Sequence, residues 1–381
     1  MNRRRFLQYA RLPEWLTALS RRGRLLVPRE EGGSVVYRLY AEGDGPMTPV
    51  DSTASPKAAI LPASRELFRF EKTRDPECPE RQELRLVPDT GGGMVQERKG
   101  EPTAAVSPAE GRACDGEPTI VFGARPCGVG GFAVLDRIYQ GESHPDPYYK
   151  AAREDTLFIT IACDHPENTC FCHWVGGGPD DPTGSDILMT PVRDGYFLEA
   201  FSERGRGLME DPMLREAEDK SEEAASVMAR SRKILGEAPD ISGAPESILA
   251  VFSDMGFWED VSAKCLSCGA CTYLCPTCYC FNITDESNGL SGKRLRSWDT
   301  CMSFQFCLEA SGHNPRPTKA HRLRNRIGHK FSYYPKFHYG LIACRGCGRC
   351  IKSCPVSLDI REIVLKAIEH AGNGIQKVSN G

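Results

Sequence analysis

The 381-residue chain has no run of about eighteen uninterrupted apolar residues, so nothing in it predicts a membrane-spanning helix. Neither sign of charge dominates. Its 48 Lys and Arg against 51 Asp and Glu leave a formal net charge of −3, which excludes a nucleic-acid polycation or an acidic solvating tail as a description of the whole. No GxGxxG and no lysine-bearing phosphate loop occurs, so the usual nucleotide fingerprints are missing. Arg3-Arg4-Arg5-Phe6-Leu7-Gln8 looks like a twin-arginine export signal, yet the uncharged apolar core that export requires is absent: Arg11, Pro13, Glu14, Arg21, Arg22 and Arg24 interrupt the next stretch. Pro13 to Leu26 reads instead as a short amphipathic helix with Leu12, Leu16 and Leu19 on one side, and the expected location is the cytoplasm. No convincing general base, nucleophile or substrate pocket is legible.

What the chain has is cysteine, eighteen of them, mostly in tight groups. In an enzyme-sized chain such grouping favours metal ligation in a reducing compartment over a secreted disulfide framework. One phrase occurs twice: Cys265-x2-Cys268-x2-Cys271-x3-Cys275-Pro276 and Cys344-x2-Cys347-x2-Cys350-x3-Cys354-Pro355. This is the bacterial ferredoxin spacing. Each phrase supplies three thiolates to one cube, and its last cysteine crosses over to complete the other. Two [4Fe-4S] clusters are therefore expected, one on Cys265, Cys268, Cys271 and Cys354, the other on Cys344, Cys347, Cys350 and Cys275. Gly269, Gly346 and Gly348 sit between the ligands, where backbone amides can approach sulfur. Arg345, Arg349 and Lys264 add positive charge that favours the reduced cluster, or else belong to a solvated loop.

The length suggests two domains with a connecting helical piece: residues 1–208, 209–250 and 251–381. The first begins with short β-like pieces such as Ser34 to Tyr40, and its polar tracts from Thr73 to Pro79 and Thr90 to Arg112 read as loops. Order improves at Thr119-Ile120-Val121-Phe122 and Thr156 to Ala162, two apolar β-branched runs flanking a segment with Val129, Phe132, Ala133, Leu135, Ile138 and Tyr139 at helical spacing. Such a strand–helix–strand unit runs its strands parallel, with their C-terminal ends on one edge. Cys127 follows the first strand, Cys163 ends the second, and Cys170 and Cys172 come a few residues later. Four thiols at one crevice predict a third [4Fe-4S] cluster, against the plainer readings of buried free cysteines or zinc. His165 and His173 flank this group and could replace a thiolate, although an ordinary loop role is the stronger reading. Gly176-Gly177-Gly178-Pro179 reads as a plain loop before a flavin phosphate cradle. Ile187 to Thr190 and Tyr196 to Phe201 then form a hairpin around Asp194-Gly195.

Met209 to about Lys233 is a charged connector of strong helix formers, and a second helix runs from Pro245 to Trp258. About seventy residues separate Cys275 from Cys344, so the small pseudo-symmetric ferredoxin fold must be expanded by helices. The fold class expected is an α/β N-terminal domain plus an α-helical ferredoxin-type dicluster C-terminal domain. Asp359 to Glu362 forms a plausible capping box, with Ile360, Ile363, Val364, Ala367 and Ile368 on one apolar face. Cys278, Cys280, Cys301 and Cys307 lie in the insert, where packing around the clusters is preferred over a further metal centre. The run from Arg316 through Lys336 carries seven Lys or Arg with His321, His329, Phe331, Tyr333 and Tyr334; a subunit-docking surface or solvated helix face fits a near-neutral chain better than nucleic acid.

At Ala124-Arg125-Pro126-Cys127, Cys170-Phe171-Cys172, Cys275-Pro276-Thr277-Cys278-Tyr279-Cys280 and Ser311-Gly312-His313-Asn314-Pro315-Arg316-Pro317, the chain resembles the iron–sulfur β-subunit of cytosolic [NiFe] sulfhydrogenases (hydrogenase/sulfur reductase β-subunit) and the related iron–sulfur subunit of anaerobic sulfite reductase. The similarity also takes in Arg11-Leu12-Pro13. The resemblance implies a non-catalytic electron-transfer subunit. Its expected partners are a flavin/NAD(P)-binding reductase subunit, which carries the flavin, and a catalytic subunit such as [NiFe] hydrogenase or sulfite reductase. The resemblance matches all eight ferredoxin cysteines and the group Cys127, Cys163, Cys170 and Cys172. The alternative is a reductase subunit that acts directly on a sulfur substrate at its N-terminal cluster, with an open iron if only three cysteines ligate.

Overall fold

The computed structural model describes residues 4–43, 53–74, 77–78, 82–87 and 118–379. Its strands are β1 (Arg4–Gln8), β2 (Arg24–Glu31), β3 (Ser34–Leu39), β4 (Ser64–Arg74), β5 (Gln82–Val87), β6 (Thr119–Ala124), β7 (Thr156–Ile161), β8 (Ile187–Val192), β9 (Gly195–Ala200), β10 (Arg215–Glu216), β11 (Phe281–Ser287) and β12 (Ser291–Trp298). The larger sheet has the order β10-β1-β9-β8-β7-β6-β2-β3, with β2, β6, β7 and β8 parallel. Every residue of β6 and β7 is buried, as continuous apolar runs require when both faces of a parallel sheet are covered. On one face Ile120, Phe122, Leu157, Ile159 and Ile161 meet Leu12, Trp15, Leu16 and Leu19 of the helix Leu12–Ser20. On the other, Val121 and Phe158 meet Phe132, Leu135 and Tyr139 of the helix Phe132–Tyr139. The strand–helix–strand unit and the β8–β9 hairpin, turning at Arg193-Asp194, thus stand where the sequence puts them.

The insert between Cys275 and Cys344 is not built of helices alone. It opens with the β11–β12 hairpin, which pairs with β4 from the N-terminal part to give a second sheet of order β11-β12-β4-β5. All seven residues of β11 are exposed, so the alternation that betrays a half-buried strand is missing. A turn signal was nevertheless present: Asn288-Gly289, with Gly289 at φ 100°, joins the two strands. Of the two tracts read as loops, residues 90–112 lie outside the described residues, and Thr73–Arg74 end β4.

The connector helix Ser221–Leu235 packs on the larger sheet, where Met228 meets Ala162 and Leu188, and β10 pairs with β1. The helix expected from Pro245 to Trp258 is two, Ala244–Ala250 and Met255–Val261. Asp254 separates them by accepting the Phe257 N–H at 3.1 Å and capping the second. The C-terminal helix Ile360–Ser379 lays Ile360, Ile363, Val364, Ala367 and Ala371 into a core shared with Ile248, Trp258, Leu323 and Ile327. Glycine brings the two halves of the chain close at two points. A Cβ at Gly131 would lie 2.7 Å from Pro276, and one at Gly346 (φ 59°) would lie 2.3 Å from the Phe171 carbonyl oxygen.

Candidate metal centres

Both cysteine phrases fold by the same device. In each, a glycine in the left-handed region, Gly269 (φ 77°) or Gly348 (φ 71°), turns the loop into a short helix, Ala270–Tyr273 or Arg349–Lys352. The loops also aim amides at sulfur: Ser267 N–H donates to Cys265 Sγ at 3.4 Å, and Gly346 N–H to Cys344 Sγ at 3.4 Å. Cys265, Cys268, Cys271 and Cys354 all line one cavity, together with Cys350, walled by Leu323, Ile327, Ile360 and Ile363. Leu358 N–H adds a bond of 3.3 Å to Cys354 Sγ. The last cysteine of the second phrase therefore faces the three of the first, the crossing that two-cluster ferredoxins use. Among the described residues no three His, Cys, Asp or Glu are arranged to hold a single metal ion.

The complementary group is Cys275 with Cys344, Cys347 and Cys350. Burial pushes the Cys344 thiol up to about 11, with Lys330 opposing and Cys275 and Cys347 adding to the rise. Burial likewise pushes Cys350 up to about 12, with Arg326 opposing and Cys347, Cys344 and Cys275 adding to it. Cys275 goes the other way. A hydrogen bond from the Cys278 thiol lowers it well below the ordinary value, and Lys330 and Arg326 reinforce this. The Lys330 ammonium donates to Cys275 Sγ at 3.4 Å, Thr277 Oγ1 at 2.9 Å and the Ala343 carbonyl at 2.9 Å.

The N-terminal cysteines are brought together only in part. Cys127, on the short helix Pro126–Val129 after β6, Cys163, two residues past the end of β7, and Cys170 line one crevice with Arg125, Glu167, Arg349, Lys352 and Cys347. Cys172 does not line it. The Phe171 N–H donates to the Gly346 carbonyl at 2.7 Å, and burial raises the Cys172 thiol beside Arg345 and Asp181. His165 is exposed beside Asp164, and neither it nor His173 lines the crevice. Gly176 (φ 75°) merely ends the turn Cys172–Val175.

A family described as "4Fe-4S dicluster domain" matches residues 264–358, both phrases and the hairpin between them. Sulfhydrogenase 2 subunit beta of Pyrococcus furiosus is 30% identical over 251 residues, 63% of this chain and 71% of that protein. The chain belongs to the sulfhydrogenase β-subunit family. No solved structure matches it. Among the described residues of this β-subunit homologue, no helix is long and apolar enough to cross a membrane.

The functional residues that sequence reasoning missed are buried cations. Arg322, Arg326 and Lys330 recur every fourth residue along Lys319–Gly328 and the π-helical turn His329–Tyr333, and all three face inward, 7%, 4% and 3% exposed. The four-residue repeat was the available signal, since Leu323, Ile327 and Phe331 repeat with it. Arg322 spans the carbonyls of Met302, Arg316 and Pro317, and Arg326 donates to the Cys271 carbonyl at 3.0 Å. Among the described residues neither Arg326 nor Lys330 forms a salt bridge with a carboxylate. Burial alone would lower both, yet the surrounding thiols raise them: Cys271, Cys350, Cys278 and Cys275 around Arg326, and Cys275, Cys278 and Cys344 around Lys330. Two buried cations whose anionic neighbours are sulfur fit thiolates held by metal, because neutral thiols would leave those charges uncompensated.

Three insert cysteines join this group. Cys278 lies beside Cys275, while a bond from Cys301 lowers Cys280 to about 7. Lys57, 3% exposed, reaches in from the N-terminal part, donates to the Cys278 carbonyl at 3.1 Å and sits 4.2 Å from the Trp298 ring centroid. Cys280 and Cys301 pack in the C-terminal core, as the packing reading expects. Cys307, half-buried, lies in the turn Gln305–Cys307.

Proposed function

We propose that the chain is an iron–sulfur electron-transfer subunit that passes single electrons, in the cytoplasm, between two partners. One is a flavin/NAD(P)-binding reductase subunit; the other is a catalytic subunit of the hydrogenase, sulfur reductase or sulfite reductase type. Cys265, Cys268, Cys271 and Cys354 hold one cube; Cys344, Cys347, Cys350 and Cys275 hold a second; Cys127, Cys163 and Cys170 supply a third. Such cubes exchange one electron at a time, and flavin on a partner converts hydride into that form. The observation that carries this reading is the cavity in which Cys354 closes the site opened by Cys265, Cys268 and Cys271. Cys347 also lines the N-terminal crevice, so the second and third sites adjoin. The chain's own residues hold the sulfur ligands, exclude water with Leu323, Ile327 and Ile363, and place Lys330 and Arg326 where added negative charge is stabilised.

The test uses the purified, reconstituted full-length chain with NAD(P)H and a viologen dye. Dye reduction is expected to be negligible until a flavin-containing NAD(P)H reductase is added, and then to depend on the concentration of this chain. Rapid NAD(P)H oxidation by the flavin-free chain alone would remove the relay role.

A further inference from the structure

We propose that Cys280 and Cys301 form a reversible dithiol–disulfide clamp, closed by a low-molecular-weight disulfide. The cross-link fastens the base of the β11–β12 hairpin and slows the loss of iron from the two ferredoxin-type sites beside it. Neither cysteine belongs to the ligand sets proposed above, so the clamp is a site beyond the relay.

The first support is position. Cys280 immediately precedes β11 and Cys301 follows closely on β12; Phe281 pairs with Trp298, and the Asp299 N–H donates to the Cys280 carbonyl at 2.9 Å. The second is contact. The Cys301 thiol donates to Cys280 Sγ, and the Cys301 N–H donates to the same sulfur. Thiols already in contact at the base of paired strands need little backbone movement to close. The third is their unequal exposure and charge. Cys280 is half-buried and Cys301 buried, so a small oxidant meets Cys280 first. The bonds from Cys301 hold Cys280 down at about 7 against burial, with Lys330 and Lys57 reinforcing them, while Cys301 is kept protonated by its bond to Cys280 and by burial. An attacking thiol that ionises near ambient pH, beside a resolving thiol, is how redox-sensing pairs are built. The fourth is what the cross-link joins. Cys280 belongs to the segment that begins at Cys275. Cys301 stands between Thr300, whose hydroxyl accepts from Thr272 Oγ1 at 2.7 Å, and Met302, which lines the cavity of the first site. The step balances without another reactant. The Cys280 thiolate attacks one sulfur of R–S–S–R, forming Cys280–S–S–R and releasing RS⁻; Cys301 then gives up its proton and attacks Cys280 Sγ, expelling the second RS⁻. Two protein thiols are oxidised, the small disulfide is reduced to two thiols, and both protons leave with them.

In the experiment the anaerobically reconstituted full-length chain is equilibrated in glutathione redox buffers, its free thiols are alkylated, and its peptides are mapped by mass spectrometry without reduction. The wild type in oxidised buffer is expected to show Cys280 joined to Cys301, with iron content unchanged and the bond reversed by dithiothreitol. Cys301→Ser should instead carry glutathione on Cys280, the stalled mixed disulfide, while Cys280→Ser should leave Cys301 free. A ferrous-iron chelator should extract iron from the oxidised wild type about tenfold more slowly than from the reduced, the effect of one covalently closed loop. In Cys280→Ser the two rates should match. The clamp is overturned if both thiols are alkylated in the oxidised wild type, if either is joined to Cys278 or any other cysteine, or if the bond forms only after chelation. Equal extraction from oxidised and reduced wild type also overturns it. The disulfide map reads the pair and the iron content reads the cubes, so failure of the clamp is distinguished from failure of the relay.

Discussion

Removing the iron by anaerobic chelation is expected to melt the C-terminal half of the chain while the larger sheet survives. The C-terminal core packs Ile248, Trp258, Leu323, Ile327 and Ile363 together with Cys265, Cys271, Cys280 and Cys350. Arg326 and Lys330 are buried in the same region with thiols as their anionic neighbours. When the metal leaves, Cys344 and Cys350, which burial pushes up to about 11 and about 12, take up protons at neutral pH. Arg326 then loses the charge of Cys350, and of Cys271, which burial also raises, while Cys275, held well below the ordinary value, still faces Lys330. Stranding a buried charge costs about 3–5 kcal/mol, a large share of the whole stability of a domain, roughly 5–15 kcal/mol. Far-ultraviolet circular dichroism should lose helical signal on chelation, and hydrogen exchange should reveal lost protection from residue 244 onward with β6 and β7 still protected. An iron-free chain with its C-terminal helices fully protected would contradict this.

Lys330→Met should lower the reduction potential of the cube proposed to include Cys275. The ammonium lies 3.4 Å from Cys275 Sγ, is 3% exposed, and stabilises the more negative, reduced state over the oxidised one. Hydrogen bonds to charged groups contribute about 1.5–3 kcal/mol, roughly one to two powers of ten. At about 59 mV per power of ten for one electron, the potential should fall by ~60–130 mV. Methionine keeps much of the stem's packing, so iron content should be unchanged. Redox titration followed by electron paramagnetic resonance reads the shift; the cube on Cys265, Cys268, Cys271 and Cys354 should move much less, since Lys330 does not line its cavity. Equal shifts in both, or none, would show that Lys330 serves only the fold.

The duplicated cysteine phrase was legible because ligand spacing is fixed by the cube and not by the surrounding fold. The β6–helix–β7 unit was legible because a strand covered on both faces must be apolar throughout. The same logic hid the β11–β12 hairpin, whose first strand is exposed along its length and held by backbone pairing with β12, which in turn pairs with β4. Arg322, Arg326 and Lys330 were read as a surface because charged residues are almost never buried without a partner; the partners here are thiols distant in sequence for Arg326 and Lys330 and backbone carbonyls for Arg322. Topology placed Cys127 and Cys163 correctly on one sheet edge. It could not place Cys172, which a short turn carries beneath the second phrase.

Metal and sulfide analysis of the full-length chain, purified without oxygen and shown to be folded and able to join its complex, tests the central claim most directly. Thiolate-held cubes at all three sites predict about twelve irons and about twelve acid-labile sulfides per chain, with no zinc. A folded, complex-competent chain carrying zinc, or no metal, would contradict it.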